Sequence, residues 1–511
     1  MSIAQAATSK VTSRRFDDRV DAGQADSRRW LILAVICSAA LMIVLDVTVM
    51  NLALPSAQRA LGFTNADRQW IVTAYSLSFG SLLLFCGRLA DLIGRKATFL
   101  AGLAGFAAAS AVGGASGSFT MLVTARACQG VFAALLAPSA LSLLTTTFTD
   151  PKERGKAFGV YGAVAASGSG VGLLLGGALT SYASWRWCMY VNLVFAAIAI
   201  TGGALLLGRQ PRTPGARLDV PGVAAVSGGM FCLVYGFSNA ASHGWHTPST
   251  WGFLAAGAAL VTVFAAWQSR TTRPLLPPRV ILDRNRGGAY LTMLITGAGM
   301  FGIFLFLIYY MQTILGYSPI KSGVALLPMV AVIGVVANVG NTKLMPRFGP
   351  KPLIGLGLLC NAAGMVALTR IGVHSDYASA LLGPLIVTGF GLGLIFSAAA
   401  NTGTFGVAPR DAGVASASIN TGQQIGGSIG TALLNTIAAS ASTGYLASHL
   451  HGRPTPQLVH LALVHSYTTV FWVCAAVFAV GAVICGALLR PGPLTRQAAR
   501  EPSRQATPAR S

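Results

Sequence analysis

Apolar residues run along this chain in long blocks separated by short polar intervals, from about residue 30 to residue 490. A membrane-spanning helix needs about 20 apolar residues at about 1.5 Å rise each. Fourteen segments meet that measure, beginning near residues 30, 70, 97, 120, 157, 187, 220, 251, 288, 321, 351, 380, 413 and 463. The first is too long for a signal peptide, lacks a small-residue cleavage site and ends in a polar motif, so it reads as a retained helix. The pattern predicts an all-α polytopic membrane protein in which nearly all structure is helical.

The polar intervals carry a repeat. Gly87-Arg-Leu-Ala-Asp-Leu-Ile-Gly-Arg-Lys96 returns in degraded form as Thr342-Lys-Leu-Met-Pro-Arg-Phe-Gly-Pro-Lys351, an offset of 255 residues. Leu89 then meets Leu344, Gly94 meets Gly349 and Lys96 meets Lys351. A second pair, Pro151 to Ala157 against Pro409 to Ala415, has an offset of 258. Two nearly equal offsets mark a duplicated unit, and parallel repeats in a polytopic protein point to a secondary transporter with its site between the halves. The expected organisation is a disordered tail at 1–29, a six-helix half at 30–208, and a connector with two extra helices at 209–286. A second six-helix half follows at 287–490, then a disordered tail at 491–511.

Composition agrees with a bilayer: 53% of residues are apolar and 10% charged, against about 25% charged in a soluble domain. The net charge of +22 would suit a nucleic-acid partner if it formed one patch. It does not. With loops assigned alternately to the two sides, 29 of the 36 basic residues fall on the side of the N-terminus and 6 on the other, while Arg126 lies inside a helix. This positive-inside asymmetry predicts both termini in the cytoplasm, a bacterial cytoplasmic (inner) membrane, and no nucleic-acid partner. The eight cysteines all lie in apolar segments without a CxxC pair, so neither disulfides nor a metal site is expected. No phosphate-cradling GxxxxGK[ST] is present, and no clustered His, Cys or carboxylate set suggests a catalytic residue. The chain therefore reads as no enzyme, with no cofactor, and as a transporter that is not ATP-driven by this chain alone. The expected partners are a small-molecule substrate and the lipid bilayer, with the chain acting as a monomer.

Two charges stand apart. Asp46 is the one acid of fourteen placed deep in a predicted helix, and Arg126 is the one deep cation. A charge near mid-membrane costs about 2.5–3.5 kcal/mol on insertion scales, so it demands a partner, water or a proton. Desolvation favours a protonated carboxyl and a nearby cation favours a carboxylate; a proton-coupled site needs that competition. The alternative is an ion pair that only pins two helices. By the repeat offsets Asp46 maps near Phe301 and Arg126 near Pro384 or Leu385, so the second half has no equivalent charges. The glycines of helix 5 (Gly162, Gly168, Gly172, Gly176) and helix 13 (Gly422, Gly426, Gly430) permit close helix approach, which would serve either a sliding interface between those two helices or static packing.

The loop motif, at Gly87, Leu89, Asp91, Gly94, Arg95 and Lys96, resembles the signature of the major facilitator superfamily. Leu45-Asp-Val-Thr-Val-Met-Asn-Leu-Ala-Leu-Pro55 resembles the first-helix signature of its drug exporters, Arg126-Ala-Cys-Gln-Gly130 the fourth-helix signature, and Gly159 to Gly177 the antiporter signature of helix 5. Leu173 stands where that last signature has proline, and the proline usual after Asn192 in the Trp185-Arg-Trp187 element is also missing. The resemblance implies the major facilitator fold with 14 helices arranged 6 + 2 + 6, in the fourteen-helix drug:proton antiporter family. It further implies proton-coupled export of amphipathic compounds by alternating access. Asp46 and Arg126 would be the proton-coupling pair. Asp91, Arg95, Gly87, Gly94 and Arg154 would form the gate that latches the halves. Asn51, Gln129, Asn401, Asn420 and Gln423 are candidates for the substrate cavity. The rival readings are a proton-coupled importer on the same fold and a non-transporting membrane sensor.

Overall fold

The computed structural model describes residues 3–148, 150–208, 219–245, 247–271, 276, 278–407, 412–449 and 455–494. Its helices are α1 (Ile3–Leu61), α2 (Asn65–Ile93), α3 (Arg95–Gly114), α4 (Phe119–Thr147), α5 (Pro151–Tyr182), α6 (Trp187–Leu206), α7 (Val220–His243) and α8 (Pro248–Arg270). They continue with α9 (Arg284–Tyr309), α10 (Pro319–Val339), α11 (Pro350–Leu368), α12 (Gly383–Thr404), α13 (Ala412–His449) and α14 (Pro456–Leu488). Among the described residues eleven helices are long and apolar enough to cross a membrane. The long helices α2, α5 and α13 complete the set of fourteen long helices.

Residues 3–29, expected to be disordered, are instead helical and continuous with the first span. That stretch has one glycine and no proline, so nothing in it stops a helix nucleated by the apolar residues that follow. Of the tail expected at 491–511, residues 495–511 lie outside the described residues.

Local signals set the helix ends. Thr64 and Asp67 form a reciprocal capping box at the start of α2, with Thr64 Oγ1 accepting from the Asp67 N–H at 3.2 Å and Asp67 Oδ2 accepting from the Thr64 N–H at 3.1 Å. Ser118, Asp219, Asp283, Ser318 and Thr455 cap α4, α7, α9, α10 and α14 in the same way from the N-cap side. The repeat glycines have a backbone reason. Gly94 (φ +108°) separates α2 from α3, and Gly349 (φ +78°) precedes α11, each in a region that side chains with a Cβ avoid. Each N–H closes the preceding turn, on Ala90 O at 3.1 Å and on Met345 O at 3.0 Å.

Packing repeats the duplication. In α1–α6 the principal pairs are α2 with α4, α3 with α4, α1 with α5, α1 with α6 and α3 with α6; in α9–α14 the pairs α10–α12, α11–α12, α9–α13, α9–α14 and α11–α14 take their places. The halves meet along two seams, α2 against α13 and α5 against α10, which the same correspondence interchanges. The glycine-rich helices 5 and 13 therefore do not slide on each other. Each lies against the opposite half's counterpart of the second helix: Gly177 of α5 faces the Ile320 backbone of α10, and Gly80 of α2 faces Gln424 of α13. The pair α7–α8 breaks the symmetry, because α7 packs on both α2 and α13 and so covers one seam only. Ser227 of α7 donates to Ser81 O of α2 at 2.6 Å.

The apolar core is divided unevenly. One body lies within the first half toward the basic end, built around Ile36, Leu103, Phe106, Leu136 and Leu144. A larger body joins the far end of the first half, through Leu45, Val49, Leu52, Ile71 and Leu173, to Ile303, Leu307, Leu326, Met329 and Phe471 of the second. Polar links cross between the halves at that far end: Gln312 donates to Leu52 O (3.3 Å), the Ile320 N–H to Ser181 Oγ (3.3 Å), and the Arg68 guanidinium stacks 3.8 Å from the Tyr309 ring centre. The far end is thus closed by both apolar and polar contact.

Candidate functional site

Five helices deliver polar side chains to one point inside the first half. Asp46 comes from the middle of α1, Tyr75 from α2, Ser110 from α3, Arg126 and Gln129 from α4, and Asn192 from α6. All six are at most 2% exposed. Arg126 and Gln129 are three residues apart and share one helix face, which lets one guanidinium and one amide meet the same carboxylate.

The bonds form a closed network. Arg126 Nη1 donates to Asp46 Oδ2 at 2.5 Å and to Gln129 Oε1 at 2.8 Å, and its Nε donates to Ile71 O at 3.3 Å. Asp46 Oδ1 accepts from Gln129 Nε2 at 3.0 Å and from Asn192 Nδ2 at 2.8 Å. Ser110 Oγ accepts from Gln129 Nε2 at 2.7 Å and from Asn192 Nδ2 at 3.4 Å. The guanidinium also lies 4.5 Å from the centre of the Tyr75 ring, which stacks on Phe79. A buried ion pair is tolerable only when its remaining donors and acceptors are satisfied in this manner. Close approach of the helices rests on small residues: a Cβ on Gly130 of α4 would meet Tyr75 O at 2.3 Å, and one on Gly172 of α5 would strike Thr48 of α1.

The structure sorts the expected residues. Asp46 and Arg126 are brought together, as one buried pair. Gln129, expected in the substrate cavity, is instead fully enclosed and bonded to Asp46, Ser110 and Arg126, because its face of α4 turns toward α1 and α3 rather than toward the second half. Asn51, also expected there, is only 7% exposed beside the core body that closes the far end. Asn401 and Asn420 are exposed and Gln423 is half-buried; Asn401 Nδ2 donates to Asn341 Oδ1 at 2.6 Å and to Ser397 O at 2.9 Å. Of the gate residues, Gly87 packs on Pro138 of α4 and Gly94 makes the turn between helices, while the side chains of Asp91 and Arg154 lie outside the described residues. In the same loop Lys96 donates to Ala204 O at 2.9 Å and also to Leu207 O, placing a cation on the carboxyl end of α6.

Asn192 and Ser110 were not singled out by sequence. Asn192 carried a signal, as the lone amide of the apolar helix Trp187–Leu206. Ser110 carried none, since a serine among alanines and glycines looks like any other small packing residue. Among the described residues no group of three or more His, Cys, Asp or Glu side chains could hold a metal ion.

Comparison with known proteins agrees with this architecture. A family model described as Major Facilitator Superfamily matches residues 36–431. The chain is 47% identical to the puromycin resistance protein pur8 of Streptomyces alboniger over 467 residues, 91% of each chain. It is 37% identical to the cephamycin export protein CmcT of Amycolatopsis lactamdurans over 445 residues, 86% of this chain and 92% of that one. The solved structure of an auto-inhibited POT family peptide transporter superposes with a TM-score of 0.66 at 15% identity, covering 95% of this chain and 99% of the other. With the family matched over most of its length, the chain is a multi-pass membrane transporter rather than an enzyme, and it belongs to the major facilitator superfamily.

Proposed function

We propose that this protein exports antibiotics or related amphipathic organic compounds across the bacterial cytoplasmic membrane in exchange for protons. The observation that carries the reading is the Asp46–Arg126 pair, sealed inside one half, joining α1 to α4 and bonded to α2 and α6, in a chain whose relatives are named for antibiotic resistance and export. Protonation of Asp46 removes the counter-charge of Arg126. A guanidinium left alone in such a site is costly, about 3–5 kcal/mol for a broken buried pair, so α4 must shift or the cation must find an anion, a dipole or water. A proton thereby does mechanical work on α1 and α4.

With the far end closed, substrate would be taken up from the basic end, the cytoplasmic side by the positive-inside rule. Substrate would enter there and meet Asn401, Asn420 and Gln423 of the second half. Rocking of the halves about the α2–α13 and α5–α10 seams would then expose it outside. Fourteen spans, with α2, α5 and α13 crossing alongside the eleven more apolar helices, return both termini to the cytoplasm.

The test is substrate-triggered proton release from inverted vesicles with an acidified interior, using puromycin, a cephamycin and a panel of hydrophobic dyes. Wild type should dissipate the gradient with at least one compound, and Asp46→Asn should not. Equal responses from both would reduce the pair to a structural pin.

A further inference from the structure

We propose that Asn192 is the positioning residue that reads the protonation state of Asp46: its amide donates to the carboxylate and, turned over, accepts from the carboxylic acid. The inference rests on the proton-coupling role given to Asp46 above. As the site stands, Asn192 Nδ2 donates to Asp46 Oδ1 at 2.8 Å and to Ser110 Oγ at 3.4 Å, while Asn192 Oδ1 is buried without a hydrogen-bond partner. An orphaned buried acceptor costs about 1–3 kcal/mol, so a second state that satisfies it is favoured by that contact.

The two amides beside Asp46 are not equivalent. Gln129 cannot turn over, because its Oε1 accepts from Arg126 at 2.8 Å and the exchange would press an NH2 against a guanidinium. Asn192 has no such lock. Arg126 holds Asp46 Oδ2, so the proton goes to Oδ1, the oxygen that faces both amides. With a proton on Oδ1, two N–H donors compete for an oxygen that must now donate. Rotation of the Asn192 amide removes the conflict: Oδ1 accepts from the Asp46 O–H, and the Ser110 hydroxyl, now free to reverse, donates to the same atom.

The displaced NH2 also has a destination. Three other helical asparagines in this chain donate to the carbonyl four residues earlier: Asn361 to Gly357 O, Asn401 to Ser397 O and Asn435 to Thr431 O, each at 2.9 Å. Asn192 is turned away from that habit by Asp46, and Cys188 O is the corresponding acceptor one turn below it. The proton comes from water and remains on Asp46 until release; Asn192 neither gains nor loses one. The other ionisable groups facing Asp46 are Arg126 from α4, Tyr75 from α2 and Cys188 from α6, with Ser110 presented by α3. Because α6 packs on both α1 and α3, the turnover carries the proton's presence beyond the α1–α4 pair.

The experiment is pH-difference infrared spectroscopy on the full-length protein in lipid. Wild type should show a carboxylic-acid band that is absent from Asp46→Asn. It should also show a paired feature as an asparagine carbonyl passes from free to hydrogen-bonded, lost in both Asp46→Asn and Asn192→Leu. Labelling asparagine with 13C in the wild type assigns that feature without any substitution, should Asn192→Leu fail to fold. Where it folds, its midpoint for substrate-driven proton release should move by about one pH unit, a tenfold change in proton affinity. An acid band without any asparagine feature overturns the role of Asn192 and leaves that of Asp46 standing. No Asp46-dependent acid band overturns both.

Discussion

The two six-helix halves pack by one plan and differ in what they enclose. Every principal helix pair of α1–α6 has its counterpart in α9–α14, and the turn glycines Gly94 and Gly349 share a positive φ. The first half surrounds a charge pair held by two amides and a serine. The corresponding region of the second half holds buried Leu385 and Leu392 of α12. The second half has irregularity instead: π-helical turns at Tyr310–Ile314, Gly340–Leu344 and Ala378–Leu382 lie at the ends of α9, α10 and α12. Such turns are rare in helices and are frequently found at functional sites. One of them presents Gln312 to the first half at the closed far end. The comparison teaches that duplication preserves packing, which depends on small residues and turn glycines, while chemistry drifts independently in each copy.

The largest way to break that contrast is Arg126→Ala. It leaves the buried Asp46 carboxylate without its counter-charge, held only by the Gln129 and Asn192 amides, and about 3–5 kcal/mol of stability should be lost unless the acid takes up a proton. Thermal unfolding in detergent should therefore show a marked loss at neutral pH that shrinks as pH falls. Next come the turn glycines. Gly94→Ala places a Cβ in open space and should cost about 1–2 kcal/mol for the backbone conformation alone. Gly349→Ala should cost more, since its Cβ would also meet Gly492 O at 2.1 Å. Equal losses from the two would contradict the asymmetry read here.

Gly177→Ala tests the seam rather than a half. Its Cβ would meet the Ile320 backbone at 2.6 Å across α5 and α10. Transport should fall severalfold with folding unchanged, because closure of the far end is hindered while each half stays intact; a loss of folded protein would place the effect inside a half. The smallest effect is expected of Arg68→Ala. A cation–π contact of this kind contributes about 0.5–1 kcal/mol, so labelling of an introduced Val49→Cys by an impermeant maleimide added outside should accelerate about two- to fivefold.

Much of the site was legible because charges in apolar helices are expensive. Asp46 and Arg126 stood out against hydrocarbon on cost alone, and each was brought to the other. Gln129 was legible as polar but not as to direction: its assignment to the cavity failed because a helix position gives spacing, not the neighbour it faces. Asn192 was visible as a lone amide and Ser110 was not visible at all, since serine serves packing and hydrogen bonding alike. The proposed slide of helix 5 on helix 13 failed for a related reason. Glycines announce a close approach without naming the partner, and the partners proved to be α10 and α2.

The sequence by itself determined the membrane setting, the duplication and the buried pair, because each follows from periodicity, repeat offset or the cost of a charge in an apolar run. Tertiary structure alone decided which helices share a seam, that α7 covers one seam and not the other, and that three donor bonds from three side chains converge on a single carboxylate. Those outcomes depend on the directions in which side chains leave helices that are far apart in sequence, and no spacing along one helix contains that information.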